Sequence, residues 1–111
     1  MLANSTSHAS PLFDAAHLAG YTGGDESLRD ELLGLMCEQA RRCIGLMAAA
    51  EDVTSWQTAT HTLKGAARGV GAFALADLCE AAEAQPQPAW DGARLAIEQC
   101  FKETEAVFAG L

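Results

Sequence analysis

Four stretches of this chain repeat apolar residues at three- and four-residue steps, and none shows the alternation of a half-buried strand. Wound as a helix, each stretch presents one apolar stripe, which another helix must cover. The longest, over about residues 25–50, carries Leu28, Leu32, Leu35, Met36, Cys43, Leu46 and Met47. A third helix is expected up to Val70. A fourth, from Ala72 to about Ala84, carries Leu75, Leu78, Cys79 and Ala82 on one side. In the last, from about Trp90 to Ala109, Trp90, Ile97, Thr104 and Leu111 recur at seven-residue spacing, with Cys100, Phe101, Val107 and Phe108 between them.

Start and stop signals divide these stretches. Ser10-Pro11 reads as a cap followed by proline at the first helical position, opening a short helix that ends near Ala19-Gly20. After a glycine-rich turn, Asp25 caps the next helix and Glu26 complements its dipole. Thr54-Ser55-Trp56-Gln57 has the form of a capping box. Gly69-Val70-Gly71 turns the chain, and Gln85-Pro86-Gln87-Pro88 breaks it again. The expected fold is all-α: an antiparallel, up-down-up-down four-helix bundle with a short additional N-terminal helix. Residues 1–10 read as a flexible N-terminal tail, and residues 11–111 as the helical domain.

A chain of 111 residues, half of them hydrophobic, suffices for one domain with its own core. It is too short for a complete ATP-dependent kinase. A net charge of −8 argues against nucleic acid and anionic membranes as partners. No run is apolar enough to span a bilayer, and residues 1–10 lack the basic and apolar regions of a secretory signal. Cys37, Cys43, Cys79 and Cys100 form no CxxC pair, so they read as reduced thiols in a cytoplasmic protein. His8 and His17 have no zinc-type spacing to any cysteine.

The third helix carries the chemistry. At about 100° per residue, Lys64, Gly65 and Arg68 fall within about 60° of His61, while Trp56, Ala59, Leu63, Ala66, Ala67 and Val70 fall opposite. His61 therefore faces solvent beside two cations and a glycine. Taken singly, an exposed histidine or a surface cation is ordinary. A mid-helix glycine costs about 0.5–1 kcal/mol relative to alanine, and its place beside His61 implies that something needs a low surface there. Residues 53–71 contain Lys64 and Arg68 and no acid, a local cationic surplus on an acidic chain. Such a spot suits an anion. A neutral imidazole is a nitrogen nucleophile, and a cation one turn away can neutralise the oxygens of a phosphoryl group transferred to it.

The run His61-Thr62-Leu63-Lys64-Gly65-Ala66-Ala67, continued by Val70-Gly71, Leu75, Leu78-Cys79 and Glu83, resembles the histidine-containing phosphotransfer (HPt) domain of two-component phosphorelays. The Gly23-Gly24-Asp25 turn and the long second helix look like the family's as well. The resemblance implies a monomeric helical bundle that shuttles phosphoryl groups between receiver-domain aspartates, from a hybrid sensor kinase to a response regulator. It implies no kinase or ATPase activity and no cofactor; Mg²⁺ would belong to the receiver partner. His61 would be phosphorylated, Lys64 would support it electrostatically and Gly65 would clear space for the receiver. Arg68 stands where the family often has a small residue and is a candidate phosphoryl or receiver contact. Gln39 and Arg42 of the second helix are candidate receiver contacts too. Ala82 replaces a customary leucine, which is expected to slacken the end of the fourth helix.

Other readings are distinguishable. An adaptor that sequesters a receiver without transfer has no need of His61. The dimerisation helices of sensor kinases generally follow their histidine with an acidic residue, an apolar residue and a basic residue before proline, unlike Thr62-Leu63-Lys64-Gly65. A metal- or haem-holding bundle would need inward-facing histidine or carboxylate pairs, which the helical stripes lack.

Overall fold

The structure, a computed structural model, describes residues 8–111. Its helices are α1 (Ala15–Thr22), α2 (Glu26–Ala49), α3 (Val53–Val70), α4 (Phe73–Glu83) and α5 (Trp90–Ala109), with a 3₁₀ turn at Gln87–Ala89. Helices α2 to α5 form the antiparallel bundle: each packs on the next, and α5 closes the ring against α2. The short α1 lies across α2 and α3. No described helix is long and apolar enough to cross a membrane.

Helix starts are set mainly by aspartates. Asp25 accepts from the Leu28 amide, as its position in the sequence implies. At α3 the cap is Asp52, not Thr54. Its carboxylate takes the Ser55 amide at 2.7 Å, and a full negative charge at a helix N-terminus is favoured over a hydroxyl. That amide is the first cause holding the Asp52 carboxyl below its ordinary value. At α1 the cap is Asp14, which accepts from the His17 amide, so no helix begins at Ser10-Pro11. Residues 11–14 instead lace the α3–α4 turn: Asp14 N donates to Gly71 O and Ala74 N to Pro11 O, both at 2.9 Å. The start of α4 has no capping side chain, and the Pro11 carbonyl meets one of its free amides.

Residues 1–7 of the expected tail lie outside the described residues. His8 contacts Glu103, and Ser10 Oγ donates to the Asp77 carboxylate.

The core runs the length of the bundle. Met36, Cys43 and Met47 of α2 meet Trp56, Leu63 and Ala67 of α3, Leu75 and Cys79 of α4, and Ile97, Cys100 and Phe101 of α5. All four cysteines are free and buried. Burial pushes the Cys79 thiol up to about 12 and the Cys100 thiol up to about 11. Buried Thr60 and Thr104 satisfy their hydroxyls on carbonyls of their own preceding turns. Three leucines counted on the α2 stripe lie outside this core: Leu28, Leu35 and Leu46 are exposed, and Leu33, Cys37 and Ala40 take the inner positions. Leu111 is exposed because α5 ends at Ala109.

One glycine in this frame is obligatory. Gly71 ends α3 at φ +92°, and a Cβ there would stand 2.8 Å from Asp14 O. Gly71→Ala is expected to lower stability by at least ~1–3 kcal/mol, read as a shifted midpoint in urea denaturation. An unshifted midpoint would show that residues 11–14 can yield there.

Candidate functional site

The tight turn at Gly71 folds α4 back along α3, so carboxylates on α4 stand beside the outward face of α3. His61 is indeed on that face, with 70% of its side chain exposed. Leu63, Ala67, Trp56 and Val70 are buried on the opposite side. Lys64 is not free. Its Nζ lies 2.5 Å from Glu83 Oε1, and its side chain is only 16% exposed. The same carboxylate oxygen lies 3.5 Å from His61 Nδ1, too long for a strong hydrogen bond and close enough to orient the ring electrostatically. The Lys64 ammonium, with a smaller contribution from His61, holds the Glu83 carboxyl below its ordinary value of 4.5.

Arg68 is paired as well, with Glu80 one turn earlier on α4, at 3.0 Å. Both cations of the α3 segment thus have carboxylate partners, and the face is a row of ion pairs, not a bare positive patch. Glu83 is a site residue that local spacing does not assign a role. It was visible as the end of the HPt-like pattern, but only the α3–α4 turn reveals that it faces His61 and Lys64.

Gly65 is exposed, and a Cβ built there meets no other atom within 4 Å. Internal packing therefore gives no reason for glycine at this position. Gly34, Gly45 and Gly69 are equally clear, so what distinguishes Gly65 is its place beside His61.

On α2, Gln39 is half-buried and Arg42 exposed. Helical spacing sets them on one edge with Leu35 and Leu46, each 54% exposed. Leu46 also borders a shallow groove with Thr54 and Thr58 of α3, which puts this edge of α2 on the α3 side of the bundle. Spacing alone puts both leucines on the buried stripe of α2, but the structure exposes them. The apolar stripe of α2 is thus wider than the face its neighbours bury.

The end of α4 is not slack. Ala82 is buried, and its carbonyl accepts from Trp56 Nε1 at 2.8 Å. The Trp56 and Trp90 rings stack at 4.8 Å, and Trp90 Nε1 donates to Gln85 O. Gln57 Nε2 reaches Glu83 O at 3.4 Å, a further tie between α3 and the segment bearing the carboxylate.

The family model of the Hpt domain matches residues 31–107, which include His61, Lys64, Gly65 and Glu83. The chain belongs to the Hpt domain family. Among solved structures, it is similar to the histidine phosphotransferase ShpA from Caulobacter crescentus. The two are 38% identical with a TM-score of 0.68, over 87% of this chain and 90% of that one. No curated protein gives a significant match. Membership assigns this Hpt domain a phosphotransfer role in two-component signalling and makes receiver domains its general class of partner.

Proposed function

We propose that this Hpt domain carries phosphoryl groups on His61 between receiver-domain aspartates, taking them from a hybrid sensor kinase and passing them to a response regulator. The observation that carries the reading is the exposed His61 beside a lysine whose ammonium is held in place by Glu83. With Nδ1 on the Glu83 side of the largely exposed ring, Nε2 is the nitrogen that attacks in this scheme. In the forward step Nε2 forms the N–P bond as the aspartyl oxygen leaves with its electron pair. The return step reverses this on a second receiver.

Lys64 lies one turn from His61 and neutralises charge on the incoming oxygens, exchanging part of its contact with Glu83 for the phosphoryl group. The scheme asks no nucleotide site and no cofactor of this chain; Mg²⁺ is the receiver's. Arg68, Gln39 and Arg42 border the face as receiver contacts, with the apolar Leu35 and Leu46 beside them. The scheme asks for no second subunit, so we take the domain as a monomer, in the cytoplasm where its four thiols stay reduced.

The test is transfer of label from a phosphorylated receiver to this chain, with the adduct labile in acid, stable in base and mapped to His61. Label that lands elsewhere, or never leaves the receiver across a panel of receivers, overturns the proposal. Within it, Lys64→Ala should slow transfer roughly tenfold, equivalent to about 1.4 kcal/mol of barrier, in a domain that still folds but melts somewhat lower for loss of the Glu83 pair. An unaltered single-turnover rate would remove Lys64 from the mechanism.

Gly65→Ala should separate stability from function. Because nothing inside the domain meets the new methyl, the helix should gain about 0.5–1 kcal/mol. Receiver docking should weaken, raising the concentration of phosphorylated receiver needed for half-maximal transfer. Faster or equal transfer in the stabilised variant would show that the receiver does not approach over Gly65.

A further inference from the structure

Away from His61, the N-terminal segment brings different chemistry against α5. His8 Nε2 lies 3.0 Å from Glu103 Oε1. Cys100 precedes Glu103 by nearly one helical turn and shares its face. One imidazole nitrogen, one sulfur and one carboxylate oxygen from these three residues all lie within 4.8 Å of one another. The setting is sheltered: the His8 and Glu103 side chains are 18% and 15% exposed, and Cys100 is 1% exposed. An ion pair between His8 and Glu103 has no need of a thiol beneath it. Convergence of nitrogen, sulfur and oxygen donors is what a borderline-soft cation requires, whereas Mg²⁺ and Ca²⁺ favour oxygen alone.

We propose that His8, Cys100 and Glu103 form a binding site for a zinc-class divalent cation that staples the N-terminal segment to α5. Zinc takes imidazole nitrogen and carboxylate oxygen at about 2.0–2.2 Å and thiolate sulfur at about 2.3 Å, so a small inward movement of the three side chains closes the set. Water completes the tetrahedron. On binding, the Cys100 Sγ proton passes to solvent as the metal–sulfur bond forms, and no electron is transferred. Residues 11–14 already lace the α3–α4 turn, so the ion fixes one continuous strap from α5 to that turn. Linear spacing gave no sign of this site, because its ligands come from opposite ends of the chain.

Co²⁺ titrated into the full chain, with the thiols kept reduced, is the direct probe. The expected result is a sulfur-to-cobalt charge-transfer band and tetrahedral visible bands at one ion per chain, both abolished by added Zn²⁺. His8→Ala and Glu103→Gln should each weaken Co²⁺ binding at least tenfold, and Cys100→Ser should remove the charge-transfer band. Cys100 lies in the core, so His8→Ala, outside every helix, is the deciding variant, with circular dichroism confirming its fold. A His61→Ala chain should bind Co²⁺ like the wild type, which separates this site from phosphotransfer. Absence of the charge-transfer band at millimolar Co²⁺, or undiminished binding in His8→Ala, overturns the site.

Discussion

A His61→Ala chain is expected to accept no label from any phosphorylated receiver while melting at or slightly above the wild-type temperature. The two halves of this result have separate causes. Loss is complete because the proposed N–P bond needs the Nε2 lone pair, and no neighbouring group on the α3 face can take its place: Lys64 and Arg68 are cations committed to carboxylates. The fold survives because the imidazole is largely exposed and touches only the edge of the Lys64–Glu83 pair. Alanine also has the higher helix propensity, by up to ~0.7 kcal/mol. Single-turnover transfer and a thermal melt on the same preparation check both halves. Label retained on His61→Ala would mean that another residue is the acceptor, whatever the geometry around position 61.

The largest stability effect is expected at Trp56. Its side chain is 1% exposed, lies almost parallel to Trp90 and donates its indole N–H to Ala82 O. Trp56→Ala removes the ring from the core, a change that typically costs about 3–5 kcal/mol, and leaves the Ala82 carbonyl without that donor. Against a total stability of roughly 5–15 kcal/mol, this removes a large share of the folding margin. Trp56→Phe keeps most of the packing and loses the hydrogen bond, so it should fall between the two. Urea denaturation of the three proteins makes the comparison. A loss below ~2 kcal/mol for Trp56→Ala would show that the helix ends collapse into the gap. The consequence reaches the site, since Trp56 fastens the end of α4 that carries Glu83. In Trp56→Phe, transfer should slow in step with any loosening of that end.

Periodicity carried most of the fold. Spacing together with cap, glycine and proline signals placed the four bundle helices within a few residues, and spacing set His61 opposite Leu63 and Ala67, because an apolar face must be covered by whatever the neighbours are. It failed where competition between similar groups decides. Two plausible hydroxyl caps, Ser10 and Thr54, gave way to Asp14 and Asp52, whose charges suit helix N-termini better. It failed again where apolar residues outnumber core positions: nothing local distinguishes exposed Leu35 from buried Leu33, which only the helices packed on α2 can separate.

The sequence by itself determined that this chain is a helical bundle with an outward histidine, a lysine and a glycine in the pattern of the Hpt family. Those properties depend on residues three or four apart on one helix, where a fixed rise and turn make spacing equivalent to geometry. What only the tertiary structure decided is the company those residues keep. Glu83 stands against Lys64 and His61, and Glu80 against Arg68, because one glycine turn sets α4 antiparallel to α3. His8 meets Cys100 and Glu103 because the first described residues lie along α5. Contacts between distant segments follow from how helices pack and how turns close, and no local spacing encodes them.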